Sequence, residues 1–149
     1  GPTGTGRRVA AVAAARHCPF TLELGGKSPQ LVFADTDLDA ALPVLVGAII
    51  QNAGQTCSAG SRVLEASIHD RLLERLAERF SALRAGPAMA DLDLGPLVSR
   101  RQLARVREFL DGGRASGVRV AVLAVDDRRL GEETKFAAGM ALRQVVFGE

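Results

Sequence analysis

The sequence predicts an α/β fold, a three-layer arrangement in which a parallel sheet carries helices on both faces. Three observations predict it. Short apolar runs suited to strands alternate with stretches of helical period, the pattern that βαβ units leave in a sequence. Hydrophobic residues make up 47% of the 149 residues and charged residues 24%, which is enough apolar surface for a core and far from a disordered or collagen-like composition. The length is that of about one domain, and no apolar stretch is long enough to cross a bilayer.

The Ala, Val and Arg run over residues 7–16 predicts a short helix whose small side chains pack closely on neighbours. A glycine-rich turn, Gly1 to Gly6, precedes it, and Pro19 is expected to end it. Phe20-Thr21-Leu22-Glu23-Leu24 alternates like a strand until Gly25-Gly26 breaks the period, and Gln30 to Phe33 is a second short strand. Thr36 is expected to cap a helix with acids in its first turn, continued by the apolar stretch from Ala40 to Ile50. Pro43 should kink that helix or mark its true first turn, and the run from Leu42 to Ile50 is apolar enough to be buried on all sides.

Gly54 to Ser61 is a loop of small residues, and Val63-Leu64 starts another strand. The clearest helix runs from Asp70 to about Leu83, with Leu72, Leu73, Leu76, Phe80 and Leu83 on one face and arginine and glutamate on the other. A Pro-rich acidic loop spans Gly86 to Pro96. Leu103, Val106 and Leu110 mark a further helix, stopped near Gly112-Gly113, and Val118 to Val125 suits a buried strand. Asp126 to Glu149 has no clean period.

Charge and composition exclude several functions. The net charge is only +2, the basic residues interleave with acids, and tyrosine and tryptophan are absent, so neither the basic stripe nor the stacking platform of a nucleic-acid binder is present. Two cysteines, Cys18 and Cys57, make no disulfide scaffold, and a reducing, cytoplasmic compartment is expected. The chain opens on Gly1-Pro2-Thr3 without the charged-then-apolar order of a signal peptide, and is expected to begin inside a longer protein.

Two loops of small residues each hold one reactive group. Cys57 lies in Gly54-Gln55-Thr56-Cys57-Ser58-Ala59-Gly60, and Glu23 at a strand end beside Gly25-Gly26. A thiolate is a strong nucleophile, and a loop of small residues lets a carbonyl carbon reach it while a backbone N–H faces the developing oxyanion. A carboxylate beside glycines can hold the water of a second step. The plainer alternative makes Cys57 a buried small hydrophobe and Glu23 a solvated edge residue. His17 beside Cys18 would lack two further ligands for a metal, so no metal site is expected and His17 belongs on the surface. His69 is expected to be a solvated cap neighbour, Lys27 a surface residue, and Arg62 a tie between the nucleophile loop and the domain through its fork of donors.

Leu22-Glu23-Leu24-Gly25-Gly26-Lys27-Ser28-Pro29 and Asn52-Ala53-Gly54-Gln55-Thr56-Cys57-Ser58-Ala59-Gly60-Ser61-Arg62 resemble the two signature segments of the NAD(P)-dependent aldehyde dehydrogenase superfamily, and the acid stands 34 residues before the cysteine, as in that family. The resemblance implies an incomplete aldehyde dehydrogenase-like catalytic domain over residues 25–149, preceded in residues 1–24 by the last helix and strand of the NAD(P)-binding domain. It implies that Cys57 attacks the aldehyde, that the adduct becomes a thioester as hydride passes to NAD or NADP, and that Glu23 activates the water that hydrolyses it. The backbone N–H of Cys57 would be one oxyanion donor, and the Leu24 carbonyl would hold the nicotinamide amide. Gly1, Thr3 and Gly6 match the family's Gly-Ser-Thr-x-x-Gly turn, whose helix faces the cofactor pyrophosphate. The expected partners are a small-molecule aldehyde and, for the whole protein, further copies of itself; neither nucleic acid nor membrane is expected.

Three departures accompany the matches. Pro2 stands where the family has a serine, Val145 stands where an acid grips the nicotinamide ribose, and a complete member is much longer, so the chain is expected to be an internal fragment. Two other functions remain open from the residues alone. One is a non-catalytic piece that associates through uncovered apolar faces; the other is a thiol esterase that uses Cys57 and Glu23 without a cofactor.

Overall fold

A computed structural model describes residues 1–65 and 67–117. The expected strand at Val118 to Val125 and the stretch from Asp126 onward, Val145 included, lie outside the described residues.

The first helix, α1 (Thr3–Ala15), starts earlier than expected, so Thr3 to Gly6 form its first turn instead of a separate loop. It also stops before Pro19. His17 takes a left-handed conformation (φ 54°), and its N–H and that of Cys18 bond back to Ala14 O (3.1 Å) and Ala13 O (3.0 Å), which closes the helix in a Schellman motif. Its alanines do not pack closely: Gly6 alone is buried, and Val9 and Val12 are exposed. The expected strand at Phe20 to Leu24 is absent as well. That segment has the alternation but no strand beside it among the described residues, and two of its hydrogen bonds go to Gly1, which donates to Glu23 O (2.6 Å) and accepts from Gly25 N (3.1 Å).

Among the described residues the sheet has two parallel strands, β1 (Pro29–Val32) and β2 (Arg62–Glu65), joined through helix α2 (Leu38–Ile50), in the βαβ connection that the alternation predicts. Gln30 pairs with Val63 and Leu31 with Leu64, so Gln30, Val32, Val63 and Glu65 share one face. Asp37 caps α2, not Thr36; its side chain accepts from the N–H groups of Asp39 (3.0 Å) and Ala40 (3.4 Å), while Thr36 closes the turn onto Phe33. Pro43 lies past the first turn and the helix runs through it. Only one side of α2 is buried: Leu42, Leu45, Val46 and Ile49 face the core and Val44 faces solvent.

Helix α3 (His69–Ser81) lays Leu72, Leu76 and Phe80 against α2, and with Val32 and Val63 these residues form the main core. Arg75 on α3 hydrogen-bonds Asp39 on α2 and thereby holds the Asp39 carboxyl below its usual range. The acidic loop is pinned back: Arg84 donates from N (2.9 Å) and Nε (3.1 Å) to Asp93, and Ala85 bridges Leu94. Helix α4 (Arg100–Ala115), capped by Ser99, passes through Gly112-Gly113 instead of stopping there, and ends before the left-handed Gly117. Val106 packs with Leu97, Leu103 and Leu110 in a second, smaller cluster.

Helices cover one face of this sheet among the described residues. On the other face Leu31, Phe33 and Leu64 are 65%, 63% and 44% exposed. A bare apolar sheet face favours association. The purified chain is expected to scatter light as a species larger than a monomer and to bind an apolar-sensing dye, and combining Leu31→Thr, Phe33→Thr and Leu64→Thr is expected to return it to a monomer. A monomeric peak for the unaltered chain would contradict this.

Candidate functional site

The loop that carries Cys57 leaves α2 through an uncommon backbone. Gln51 to Gly54 form a single tight turn in which Asn52 (φ 50°), Ala53 (φ 54°) and Gly54 (φ 72°) are all left-handed. For Ala53 this conformation costs on the order of 1–2 kcal/mol, so neighbouring groups must hold it. Asn52 and Gln55 do so reciprocally: Asn52 Nδ2 donates to Gln55 O, and Gln55 Nε2 to Asn52 O, each at 3.2 Å. The remaining oxygen of the Gln55 amide, Oε1, accepts from Val98 N (3.0 Å), which ties this turn to the residues that open α4.

Cys57 follows two residues later, free and exposed. Its neighbours Thr56 and Ser58 share a hydroxyl hydrogen bond of 3.1 Å. Beyond Cys57 the chain sinks, with Ala59, Gly60 and Ser61 all buried. Gly60 N donates to Ala48 O near the end of α2 (3.1 Å), and Gly60 O accepts from Gln30 Nε2 (2.6 Å). Ser61 carries a buried hydroxyl with no partner among the described residues.

Glu23 is exposed beside the Gly25-Gly26 pair, on the segment bonded to Gly1. Gly1, Thr3, Gly6 and Leu24 come together around the start of α1. A Cβ at Gly6 would stand 2.7 Å from Leu24 Cδ2, so the bare α-carbon of Gly6 is what lets Leu24 lie against the helix. At Gly4 a Cβ would meet nothing within 4 Å, and Pro2 offers no side-chain cap, which leaves the first turn of α1 open. Glu23 and Cys57 sit on separate loops, linked through residues 25–30: Arg62 N donates to Ser28 O (3.3 Å), next to β1. The tie expected of Arg62 is therefore made by its backbone, its side chain being exposed. His17 is exposed as expected, and His69 opens α3 with Nδ1 2.8 Å from Asp70 Oδ1. Among the described residues no group of three or more His, Cys, Asp or Glu could hold a metal ion.

The profile of the aldehyde dehydrogenase family matches residues 1–144. The chain belongs to the aldehyde dehydrogenase family. It is 39% identical over 151 aligned residues to betaine aldehyde dehydrogenase of Cereibacter sphaeroides, an alignment that takes in all of this chain and 30% of that enzyme. A crystal structure from Burkholderia cenocepacia, assigned as an aldehyde dehydrogenase, is 57% identical with a TM-score of 0.79, over 81% of this chain and 26% of that one. The NAD+ complex of an aldehyde dehydrogenase from Bacillus cereus is 33% identical with a TM-score of 0.83, over 94% of this chain and 28% of that one. The chain thus spans about 30% of the length of this curated relative.

Two residues that hold the Cys57 loop, Gln30 and Gln55, escape the sequence reading. The signal for Gln30 is present in the alternation, since it is the polar member of the inward-facing positions of β1. Gln55 has no such signal, because its partner Val98 is 43 residues away.

Proposed function

We propose that this chain carries the nucleophile and the water-activating carboxylate of an enzyme that oxidises an aldehyde to a carboxylic acid with NAD or NADP. The observation that carries the reading is a free, exposed thiol on a loop bonded on both sides, through the Gly60 backbone to α2 and β1 and through the Gln55 side chain to Val98 before α4. Cys57 adds through Sγ to the aldehyde carbon, and its own backbone N–H is the proposed donor to the oxyanion. The two-electron acceptor chemistry comes from NAD or NADP when it is bound. The oxidised adduct is a thioester on Cys57. Glu23 takes a proton from water, the oxygen attacks the acyl carbon, the C–S bond breaks, and the thiol is restored as the acid leaves.

The residues present fit a dinucleotide. The open first turn of α1 presents unpaired backbone N–H groups at the positive end of a 13-residue helix, with Gly1 and Thr3 beside them for a pyrophosphate. The bare α-carbon of Gly6 lets Leu24 lie against that helix, which supports reading the Leu24 carbonyl, proposed for the nicotinamide amide, and the proposed phosphate site as parts of one unit. The assignment of residues 1–24 to the cofactor domain and 25–149 to the catalytic domain is supported by the core, whose buried residues begin at Val32. A cytoplasmic location and a homo-oligomeric whole protein belong to the same reading.

The test is aldehyde-dependent NAD(P)H formation by the purified protein, expected to be lost in Cys57→Ala and kept in Cys18→Ala. Cleavage of a p-nitrophenyl ester without any NAD(P)H would leave a thiol esterase instead. Neither activity, with association intact, would leave only the associating piece.

A further inference from the structure

We infer that Gln30 is the positioning residue of the nucleophile loop, an inference that rests on Cys57 being the nucleophile. Both hydrogens of its side-chain amide are used. Nε2 donates to Gly60 O at 2.6 Å and to Leu45 O at 3.2 Å, so one planar group joins β1, the middle of α2 and the return limb of the Cys57 loop. Gly60 in turn donates to Ala48 O. The loop is therefore fixed to α2 from both sides of a single residue, three positions after Cys57.

The same geometry explains why residue 60 is glycine. Its φ is not among the left-handed ones, so conformation alone does not require glycine there. Space does. A Cβ at 60 would stand 2.7 Å from Gln30 Cδ and 2.8 Å from Cγ and Nε2. Any side chain at 60 must push the amide away from the carbonyl it holds. A half-buried glutamine beside the buried Val32 and Val63 on its strand face needs such partners, because burying an amide without them is costly.

The experiment compares the unaltered chain with Gln30→Met, which keeps the length and bulk of the side chain but has no donor. Hydrogen exchange is read on the peptide spanning residues 55–62 and, as a control, on α3. Acylation by p-nitrophenyl acetate is read in a single turnover: a Cys57 Sγ–C bond forms, the ester C–O bond breaks, p-nitrophenolate leaves, and the thiol proton passes to solvent. Exchange in 55–62 is expected to rise about 10–100-fold with α3 unchanged. The limiting acylation rate at Cys57 is expected to fall about tenfold or more, with the half-saturating ester concentration unchanged. Unchanged exchange in 55–62 overturns the inference even if Cys57 is acylated normally. Faster exchange in a chain whose Cys57 is no more reactive than Cys18 overturns the nucleophile reading, and the positioning role of Gln30 with it.

Should Gln30→Met fail to fold, a double-mutant cycle with Gly60→Ala and Gln30→Ser provides the same test. Gly60→Ala alone is expected to loosen the loop like Gln30→Met, and to add nothing once Gln30→Ser has vacated the space. Additive effects would contradict the shared contact.

Discussion

Glu23→Gln is expected to leave the acylation of Cys57 unchanged and to slow release of the acid by about 10²–10⁴-fold, the range over which a positioned general base acts. The two steps make different demands. Acylation needs a thiolate and an oxyanion donor, both proposed for the Cys57 loop. Hydrolysis needs a proton acceptor for water, and Glu23 is the group proposed for it, exposed at the end of a segment that Gly1 holds through two backbone hydrogen bonds. Glutamine keeps the shape and loses the basicity. Pre-steady-state kinetics with an activated ester should therefore show a full first burst of p-nitrophenolate followed by almost no turnover. Equal loss of burst and turnover would mean that Glu23 acts on the loop that bears the thiol and not on water.

Phe80→Ala is expected to destabilise the chain by about 3–5 kcal/mol. Phe80 is 1% exposed and is the largest of the fully buried side chains, set among Leu38, Leu42, Leu72 and Leu76 where α3 packs on α2. Nothing nearby can fill the cavity, because the neighbouring leucines are themselves fully buried and sit on helices held by the Asp37 cap of α2 and the Arg75 to Asp39 hydrogen bond. Met89 provides the comparison: it is 96% exposed, and Met89→Ala should change stability by no more than about 0.5 kcal/mol. Urea unfolding at matched slope checks both. A loss below about 1 kcal/mol for Phe80→Ala would show that the core is loosely packed.

The parts of the fold legible in the sequence are those fixed by periodicity. Leu72, Leu76 and Phe80 recur at helical spacing, and α3 lies within two residues of its expected bounds. The β1 to α2 to β2 order follows from apolar runs separated by a capped helix. What misleads is pattern without a partner. Phe20 to Leu24 alternates well, but alternation describes a face and not a ladder, and no strand lies beside it among the described residues. The Ala and Val surface of α1 is small and apolar for the same reason and stays open. Local chemistry misleads elsewhere. Asp37 outcompetes Thr36 as the cap because Thr36 is taken by Phe33, and α4 continues through Gly112-Gly113, where Ser116 Oγ bonds Gly112 O at 2.8 Å. Cys57 and Glu23 stand out because small residues flank them. The supports of the Cys57 loop, Gln30 and Gln55, depend on partners 15 to 43 residues away, and beyond the polar place of Gln30 in the alternation of β1 the spacing along the chain carries no trace of those contacts.

The central claim is that Cys57 is the nucleophile. Peptide mass spectrometry after brief exposure to p-nitrophenyl acetate tests it most directly, because both cysteines are exposed and free, so that accessibility alone does not separate them. The acetyl group is expected on Cys57, with Cys18 unmodified over the same interval and the peptide of Cys57→Ala unacetylated. Acetylation of Cys18 at an equal or greater rate would contradict it.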